Sequence, residues 1–238
     1  MIMAILAGGL ATRLGSLTRT IPKSMLPVAG EPFIGHQLRL LSGSGIKRVH
    51  LCLGHLCEPI REYVGEGNQF GVEVTYTLEG SRLMGTGGAL ALARPYLGDF
   101  FGVMYGDSYL PVPFARLAEH ARQTGTLGVM TVWRNENRFD RSNLVVEEGL
   151  VKIYSADRSD PVCYEWIDYG LSFLHGQTLS RIPLDQPVPL SVLWKSLAQE
   201  KQLAALTVKD RFYEMGSVNG YQELCSMAEQ GGLPNYHE

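Results

Sequence analysis

Short apolar runs alternate with amphipathic stretches along the first half of the chain. The apolar runs are rich in β-branched and aromatic residues and are predicted to be strands, at residues 2–6, 49–53, 72–77, 100–105 and 127–133. The stretches between them have the spacing of amphipathic helices, at residues 32–44, 57–65, 87–96 and 112–123. Pro32 opens the first helix and Gly45 follows its end, as start and stop signals do. This alternation predicts an α/β fold with a Rossmann-like, doubly wound and mostly parallel sheet.

The pattern changes after Trp133. Residues 144–153 are predicted to form two short strands around a tight turn, and residues 166–174 another strand, so we expect a small β insertion on the sheet. A helix at 191–200, a strand at 203–208 and a closing helix at 218–229 complete the pattern. Because no linker or change of composition interrupts the chain, we expect a single domain over residues 1–238. Its predicted parts are an α/β half (about 1–133), the β insertion (about 134–217) and the closing helix (218–238).

Composition narrows the class of protein. The 238 residues are 45% hydrophobic and 19% charged, which is too apolar for a disordered chain, and no apolar run reaches the roughly 18 to 20 residues of a membrane span. With 21 Lys and Arg against 24 Asp and Glu, the formal charge of -3 argues against a bulk nucleic-acid binder. Four cysteines at irregular spacing predict free thiols. No charged leader precedes the first apolar run, so a cytoplasmic location is expected.

The amino-terminal thirty residues have an uneven charge. They contain Arg13, Arg19 and Lys23 but no acid, and Glu31 is the first carboxylate. Gly8 and Gly9 follow the first predicted strand directly, where glycines let backbone N–H groups approach phosphate oxygens. The spacing matches neither GxxxxGK[ST] nor GxGxxG, which argues against a nicotinamide-dependent oxidoreductase, and a plain tight turn is the alternative. The charge imbalance favours a local site for an anionic ligand.

The same region carries a family signature. LAGGLATRL (residues 6–14) and IPKSMLPVAGEPFI (residues 21–34) resemble the amino-terminal motifs of the sugar-1-phosphate nucleotidyltransferases. Further elements follow in that family's order: GTGGA (85–89), YGDS (105–108), IDYG (167–170) and YEMGS (213–217). One departure is Ala11, where the family usually has glycine. The short length and the GTGGAL and DYGL elements are most similar to the compact bacterial members related to heptose-1-phosphate guanylyltransferase.

The resemblance implies a reaction and its residues. A sugar-1-phosphate oxygen attacks the α-phosphorus of a nucleoside triphosphate, pyrophosphate leaves, and a nucleotide sugar forms with Mg²⁺ as cofactor. The implied catalytic residues are Arg13, on the departing β- and γ-phosphates, and Lys23, between the α-phosphate and the sugar phosphate. Asp107 and Glu214 are the implied metal carboxylates, with a strand-end turn and a capping role near Ser217 as their structural alternatives.

Two further sets of residues are implied by the same resemblance. The nucleotide-binding set comprises Leu6, Ala7, Gly8, Gly9, Ala11, Thr12, Arg13, Glu79, Gly85, Gly87 and Gly88. The sugar-phosphate set, which uses the β insertion as a sugar lid, comprises Lys23, Tyr105, Asn143, Asp157, Arg158, Asp168, Tyr169 and Gly170. The family's Glu-Lys-Pro element is missing, and Asp157 and Arg158 stand in its place.

The nucleobase and the sugar stay open at this point. The expected activity is most like heptose- or mannose-1-phosphate guanylyltransferase. The alternatives are a short glucose-1-phosphate thymidylyl- or uridylyltransferase or an aminosugar-1-phosphate uridylyltransferase. A non-catalytic nucleotide-sugar-binding regulatory subunit is the alternative from another class. The expected partners are the two small-molecule substrates, without nucleic acid or membrane, and the expected state is a monomer or homodimer.

Overall fold

A computed structural model describes residues 1–9, 12–18, 20–80, 82–157 and 162–233. In chain order the strands are β1 (Ile2–Leu6), β2 (Pro27–Val28), β3 (Glu31–Pro32), β4 (Arg48–Leu53), β5 (Glu73–Leu78), β6 (Phe100–Tyr105), β7 (Ser108–Tyr109), β8 (Gly128–Arg134), β9 (Leu144–Glu147), β10 (Leu150–Tyr154), β11 (Trp166–His175), β12 (Leu203–Thr207) and β13 (Tyr213–Glu214). The predicted strands are confirmed to within one or two residues at their ends.

The helices also follow the predicted order. They are α1 (Phe33–Gly43), α2 (Cys57–Val64), α3 (Gly85–Leu92), α4 (Arg94–Leu97), α5 (Phe114–Gln123), α6 (Ser191–Gln199) and α7 (Val218–Gly231), with short 3-10 helices at Thr12–Thr18, Lys23–Met25, Asn68–Phe70 and Gly176–Arg181. The predicted helix at 87–96 is two helices, because the chain turns at Ala93 before Pro95. No helix in the described residues is long and apolar enough to cross a membrane.

Nine strands form one sheet in the order β5-β4-β1-β6-β11-β8-β12-β10-β9, and β7 pairs separately with β13. The strands β5, β4, β1 and β6 are mutually parallel, as the βαβ pattern predicts. The inserted β11 is different: it lies in the middle of the sheet and is antiparallel to both neighbours, β6 and β8. The expected β insertion is thus part of the main sheet, which has a parallel half and a mixed half.

Alternation along the strands builds a core on each face of the sheet. In β1, Met3 and Ile5 pack on the face covered by α1, α2, α5 and α7, while Ala4 and Leu6 pack on the face covered by α3, α4 and α6. Successive strand residues point to opposite faces, so a strand buried on both faces must be apolar throughout. This explains why β1 appears in the sequence as a continuous apolar run.

The sheet brings several chain segments to one edge. Leu6 is level with Cys52 on β4 and with Tyr105 on β6, so the loops after β1, β4 and β6 leave the sheet side by side. Since β11 runs in the opposite direction, its first residues, including Asp168, lie at this same edge. Open α/β sheets bind ligands at the carboxyl ends of their parallel strands, and the candidate site lies there.

Candidate active site

A cavity of about 240 Å³ opens at the carboxyl edge of the parallel strands. Nine of the residues predicted from the sequence line it: Leu6, Ala7, Gly8, Gly9, Lys23, Glu79, Gly85, Tyr105 and Asp107. They come from the ends of β1, β5 and β6, from the 3-10 turn at Lys23 and from the start of α3. The sheet therefore gathers, within one cavity, most of the residues predicted for the nucleotide and the reacting phosphates.

The glycine loop after β1 is tightly enclosed at one position and open at the next. A Cβ atom on Gly8 would collide with the Glu79 carboxylate and would lie 2.8 Å from the Gly54 nitrogen. A Cβ atom on Gly9 would meet no atom of the described residues within 4 Å, its chain neighbours aside. Gly8 is thus required by the packing of the loop, whereas Gly9 leaves the backbone accessible from the cavity, which a phosphate-binding loop needs.

Part of the predicted phosphate site cannot be placed. Ala11 lies outside the described residues. Thr12 and Arg13 belong to the Thr12–Thr18 segment, but their side chains lie outside what the structure describes. Their roles stay predictions.

Two of the lining residues, Lys23 and Asp107, form an ion pair. The Lys23 ammonium donates to the Asp107 carboxylate with an Nζ–Oδ2 distance of 2.5 Å, and each side chain is 20% exposed. Partial burial weakens solvent screening, so this contact is stronger than an ion pair on an open surface. The predicted phosphate-binding cation and the predicted metal carboxylate are thus brought into direct contact.

Glu214 lies one strand away from this pair. Glu214 pairs with Ser108 in the antiparallel β7–β13 ladder, and the N–H of the next residue, Met215, donates to the Asp107 carbonyl at 2.9 Å. Its carboxylate accepts from the Gly216 N–H at 2.5 Å and from the Ser217 hydroxyl at 2.9 Å. Ser217 in turn accepts from the Gly220 N–H at 3.0 Å and caps α7. Glu214 therefore supports the helix cap in this structure, as its structural alternative supposed, beside the Asp107 turn.

The donors near Asp107 are few. The described residues contain no group of three or more His, Cys, Asp or Glu side chains arranged to hold a metal ion. Asp107 and Glu214 are joined through the β7–β13 pairing, while Glu79 and Asp168 also lie at this edge of the sheet.

Glu79, just after β5, also lines the cavity. Its carboxylate accepts a hydrogen bond from the Met84 N–H, and burial raises the pKa of Glu79. The predicted glycines after it serve mainly the packing of α3. The N–H groups of Gly87 and Gly88 donate to the Val188 carbonyl at 2.9 and 3.1 Å, so these two glycines do not line the cavity. Gly85 does line it, with φ of +71°.

Fewer of the residues predicted to bind the sugar phosphate line the cavity. Asp168 is half-buried, and its carboxylate accepts from the Gly170 N–H at 2.9 Å. The Asn143 side-chain oxygen accepts from the Asp168 N–H at 3.1 Å, which links β9 to β11. Burial raises the pKa of the Asp168 carboxyl to about 6. Burial also raises the pKa of Tyr105 well above its usual range, with a smaller contribution from the Asp168 charge. Asn143, Asp168 and Gly170 thus form a linked group near Tyr105.

Two members of the predicted sugar set lie elsewhere. Tyr169 is 1% exposed, and its hydroxyl donates to the Arg211 carbonyl at 3.4 Å within the core. Asp157 is exposed and accepts from the Ser155 hydroxyl at 3.3 Å. Arg158 lies outside the described residues. The structure does not bring Tyr169 or Asp157 into the cavity lining.

The cavity is also lined by six residues outside the predicted sets: Ser24, Cys52, Leu83, Thr86, Ala89 and Gly106. Four of them, Ser24, Thr86, Ala89 and Gly106, lie inside the family motifs. The Ser24 hydroxyl is buried and has no hydrogen-bond partner in the part of the chain that the structure describes. Its position inside the PKSMLP motif was the available signal. Burial raises the pKa of the Cys52 thiol to about 12, so this thiol is an inert part of the wall.

Comparisons with known proteins agree with this geometry. The family model described as nucleotidyl transferase matches residues 2–147. Mannose-1-phosphate guanyltransferase of Schizosaccharomyces pombe is 29% identical over 231 residues, which cover 91% of this chain and 61% of the relative. The chain thus spans less than two thirds of that relative's length.

Solved structures share the fold. A Bacillus anthracis protein assigned as a glucose-1-phosphate thymidylyltransferase superposes with a TM-score of 0.85 at 19% identity, covering 99% of this chain and 98% of that chain. HddC from Yersinia pseudotuberculosis, in complex with GMP-PN, superposes with a TM-score of 0.76 at 23% identity, covering 95% and 98%. At these identities the likeness establishes the fold.

Proposed function

This chain belongs to the nucleotidyl transferase family, and on that premise we propose that it joins a nucleoside triphosphate to a sugar 1-phosphate. A phosphate oxygen of the sugar 1-phosphate forms a bond to the α-phosphorus. The bond between the α-phosphorus and the bridging oxygen breaks, and pyrophosphate leaves. The product is a nucleotide sugar.

The observation that carries this proposal is the Lys23–Asp107 pair beside the open backbone of Gly9. The nucleophile is already an anion, so the reaction needs no general base from the protein. It needs the two polyanions to be held together and the charge on the α-phosphate to be neutralised. A partly buried ammonium next to a glycine loop is suited to both tasks.

In our proposal, different residues bind different phosphate groups of the substrates. Lys23 moves from Asp107 to the α-phosphate and the incoming sugar phosphate when the substrates bind. Arg13 holds the β- and γ-phosphates, since a guanidinium offers a planar, bidentate fork. The Gly8–Gly9 backbone positions the triphosphate between them.

We propose that Asp107 and Glu214 hold Mg²⁺. The donor set fits a hard dication, because Mg²⁺ is commonly held by one or two carboxylates while waters and substrate phosphates complete its shell. The Asp107 turn and Glu214 lie on paired strands. When bound, the ion would supply positive charge at the phosphates. Each Glu214 carboxylate oxygen accepts one hydrogen bond, from Gly216 or from Ser217, and so keeps a lone pair for the ion.

The Glu79 carboxylate, which lines the cavity, favours guanine among the nucleobases. An ionised carboxylate only accepts hydrogen bonds, and guanine presents two adjacent donors, N1–H and the 2-amino group. Uracil and thymine present one donor between two acceptors, which a carboxylate repels. The guanylyl-transferring relative and the GMP-PN complex support this choice. Thymidylyl transfer is the second candidate, because the Bacillus anthracis structure superposes well.

The sugar is proposed to be a heptose or mannose 1-phosphate, bound near Tyr105 and the linked group Asn143, Asp168 and Gly170. None of the three linked residues lines the cavity, but the Asp168 charge acts on Tyr105, which does, and a Cβ atom on Gly170 would lie 3.6 Å from the Tyr105 ring. A glucose or aminosugar 1-phosphate differs from these in hydroxyl stereochemistry and is the alternative. A cytoplasmic location, a single domain and a monomeric or homodimeric state remain predictions from the sequence.

One experiment tests the activity and both substrate choices. Pyrophosphate release is measured for every pairing of ATP, GTP, CTP, UTP and dTTP with mannose, heptose, glucose and N-acetylglucosamine 1-phosphates. GTP is expected to be the best triphosphate, and Glu79→Gln is expected to reduce its advantage over UTP at least tenfold. If nucleotide binds but no pair turns over, the chain is a binding protein and the proposal is wrong.

A further inference from the structure

The Asp107 carboxylate stands on a short turn between β6 and β7, and the backbone of this turn is held from several sides. The Gly106 N–H donates to the Leu6 carbonyl at 2.9 Å, which ties the turn to β1. The Asp107 carbonyl accepts from the Met215 N–H at 2.9 Å, which ties it to the β13 segment. Two further carbonyls of the turn, those of Tyr105 and Ser108, lie on either side of Asp107.

Both carbonyls are bound by one side chain, that of Gln37 on α1. Its Nε2 donates to the Tyr105 carbonyl at 3.1 Å and to the Ser108 carbonyl at 2.8 Å. Gln37 is fully buried, at 0% exposure. The two N–H donors of its amide are therefore both used, and they bridge the ends of the four-residue turn that carries Asp107.

The other half of the amide gains nothing from this arrangement. The Gln37 Oε1 is buried and has no hydrogen-bond partner in the part of the chain that the structure describes. A buried acceptor without a partner costs free energy, so an apolar side chain would relieve that cost on this helix. What an apolar side chain would lose is the bridge between Tyr105 and Ser108.

The same helix holds the segment that carries Lys23. The Phe33 N–H, at the start of α1, donates to the Leu26 carbonyl at 3.1 Å. The Leu26 N–H donates to the Lys23 carbonyl at 3.0 Å and closes the 3-10 turn. One end of α1 thus fixes the base of Lys23, and one turn further along Gln37 fixes the base of Asp107.

We propose that Gln37 is a positioning residue that holds the backbone of the Asp107 turn, and with it the Asp107 carboxylate, in a fixed place at the end of β6. This inference rests on the proposed function, because it assigns Gln37 to that same site. Gln37 does not line the cavity, and it acts through the backbone of the Asp107 turn. Small displacements of charged groups at a reacting phosphate reduce the rate strongly, and loss of such a supporting contact typically costs about ten- to a hundredfold.

The first test is Gln37→Met, which keeps the length of the side chain and removes the amide. Gln69→Met is the matched control, because Gln69 also donates from its amide to a carbonyl, that of Tyr63 at 2.6 Å, but lies on the surface. We expect kcat to fall at least tenfold in Gln37→Met while the KM for each substrate changes less than threefold. Gln69→Met should match the parent. A kcat within twofold of the parent would overturn the inference.

The second test uses Gln37→Glu. A buried glutamic acid is neutral below its raised pKa and then donates one hydrogen bond to a carbonyl, but above that pKa it is an anion facing two carbonyl oxygens. The ratio of its kcat to that of the parent is expected to be about tenfold higher at pH 6 than at pH 8. A ratio that does not depend on pH would show that Gln37 only fills space.

A third measurement does not depend on turnover. Amide hydrogen exchange of the segment 105–109 is expected to accelerate in Gln37→Met, with the strands β1 and β4 unchanged. If the parent turns over no substrate pair, the proposed function fails while this measurement still decides whether Gln37 holds the turn. Unchanged exchange at 105–109, or faster exchange over the whole chain, would overturn the positioning role.

Discussion

The two sides of the cavity are built in different ways. On the side predicted for the nucleotide and its phosphates, which we call the phosphate side, most of the described residues line the cavity, chiefly from the ends of the parallel strands β1, β5 and β6. On the side predicted for the sugar, which we call the sugar side, Tyr105 lines the cavity, but the described residues of the inserted β region divide between a linked polar group, the core and the surface. A parallel sheet places neighbouring strand ends together by construction, whereas an inserted hairpin and its loops have no such rule.

The largest effect is expected on the phosphate side. Lys23→Ala and Asp107→Asn are each expected to lower kcat at least about a hundredfold, as for loss of a preorganised electrostatic group. The fold should persist, because both side chains are partly exposed. Steady-state rates together with a thermal unfolding curve check this. Near-normal rates in either variant would show that the Lys23–Asp107 pair does not act on the reacting phosphates.

A control for that prediction is Lys47→Ala. Lys47 is an exposed lysine at the opposite end of β4 from the cavity, so its loss tests the effect of net charge alone. Its rates should stay within twofold of the parent. An equal loss in Lys47→Ala would attribute the effect to charge in general.

An intermediate effect is expected at Asp168, and it depends on pH. Its pKa is raised in the folded chain to about 6, from 3.8, because burial disfavours the charged form. Between these values the unfolded chain releases the proton first, so the folded state loses stability as pH rises from about 4 to about 6. Asp168→Asn removes this loss and is expected to be more stable than the parent above pH 6, by up to about 3 kcal/mol.

Urea unfolding at pH 4 and pH 7 checks the sign. The gain in unfolding free energy of Asp168→Asn over the parent should be small at pH 4 and largest at pH 7. The KM of this variant for the sugar 1-phosphate should rise about tenfold if the carboxylate holds a sugar hydroxyl. A gain that shrinks with rising pH would contradict the raised pKa.

Some features of this site were predictable from the sequence, and others were not. The nine strands of the main sheet were predictable from apolar runs, whereas the two-residue strands β2, β3, β7 and β13 were not. Gly8 and Asp107 follow the ends of the paired parallel strands β1 and β6, so their approach was predictable, but Lys23 lies on a 3-10 turn and its role was assigned from the family resemblance alone. The central position of β11 was not predictable, because a hydrophobic pattern gives no strand order. Gln37 was also missed: a buried glutamine on an apolar helix face has no signal until its two carbonyl partners are known.

The smallest effect is expected at Tyr169. Its hydroxyl contacts the Arg211 carbonyl in the core, and its ring packs edge-on against Phe212 with the centroids 5.8 Å apart. Tyr169→Phe keeps the ring contact and loses one long hydrogen bond, so kcat/KM should change less than threefold. A tenfold rise in the KM for the sugar 1-phosphate would place that hydroxyl in the sugar site and weaken the contrast between the two sides.

The place of β11 in the sheet has a consequence for synthesis of the chain. The four parallel strands β5, β4, β1 and β6 all lie within the first 147 residues. Strand β6 is the last of the four in the sheet, and the strand that pairs with its other edge, β11, is formed only by residues 166–175. During synthesis, the parallel strands therefore emerge from the ribosome with one edge of β6 unpaired until residues 166–175 follow. An exposed edge of this kind is prone to pair with other chains. A chain cut after residue 147 is thus expected to aggregate, although it contains both members of the Lys23–Asp107 pair.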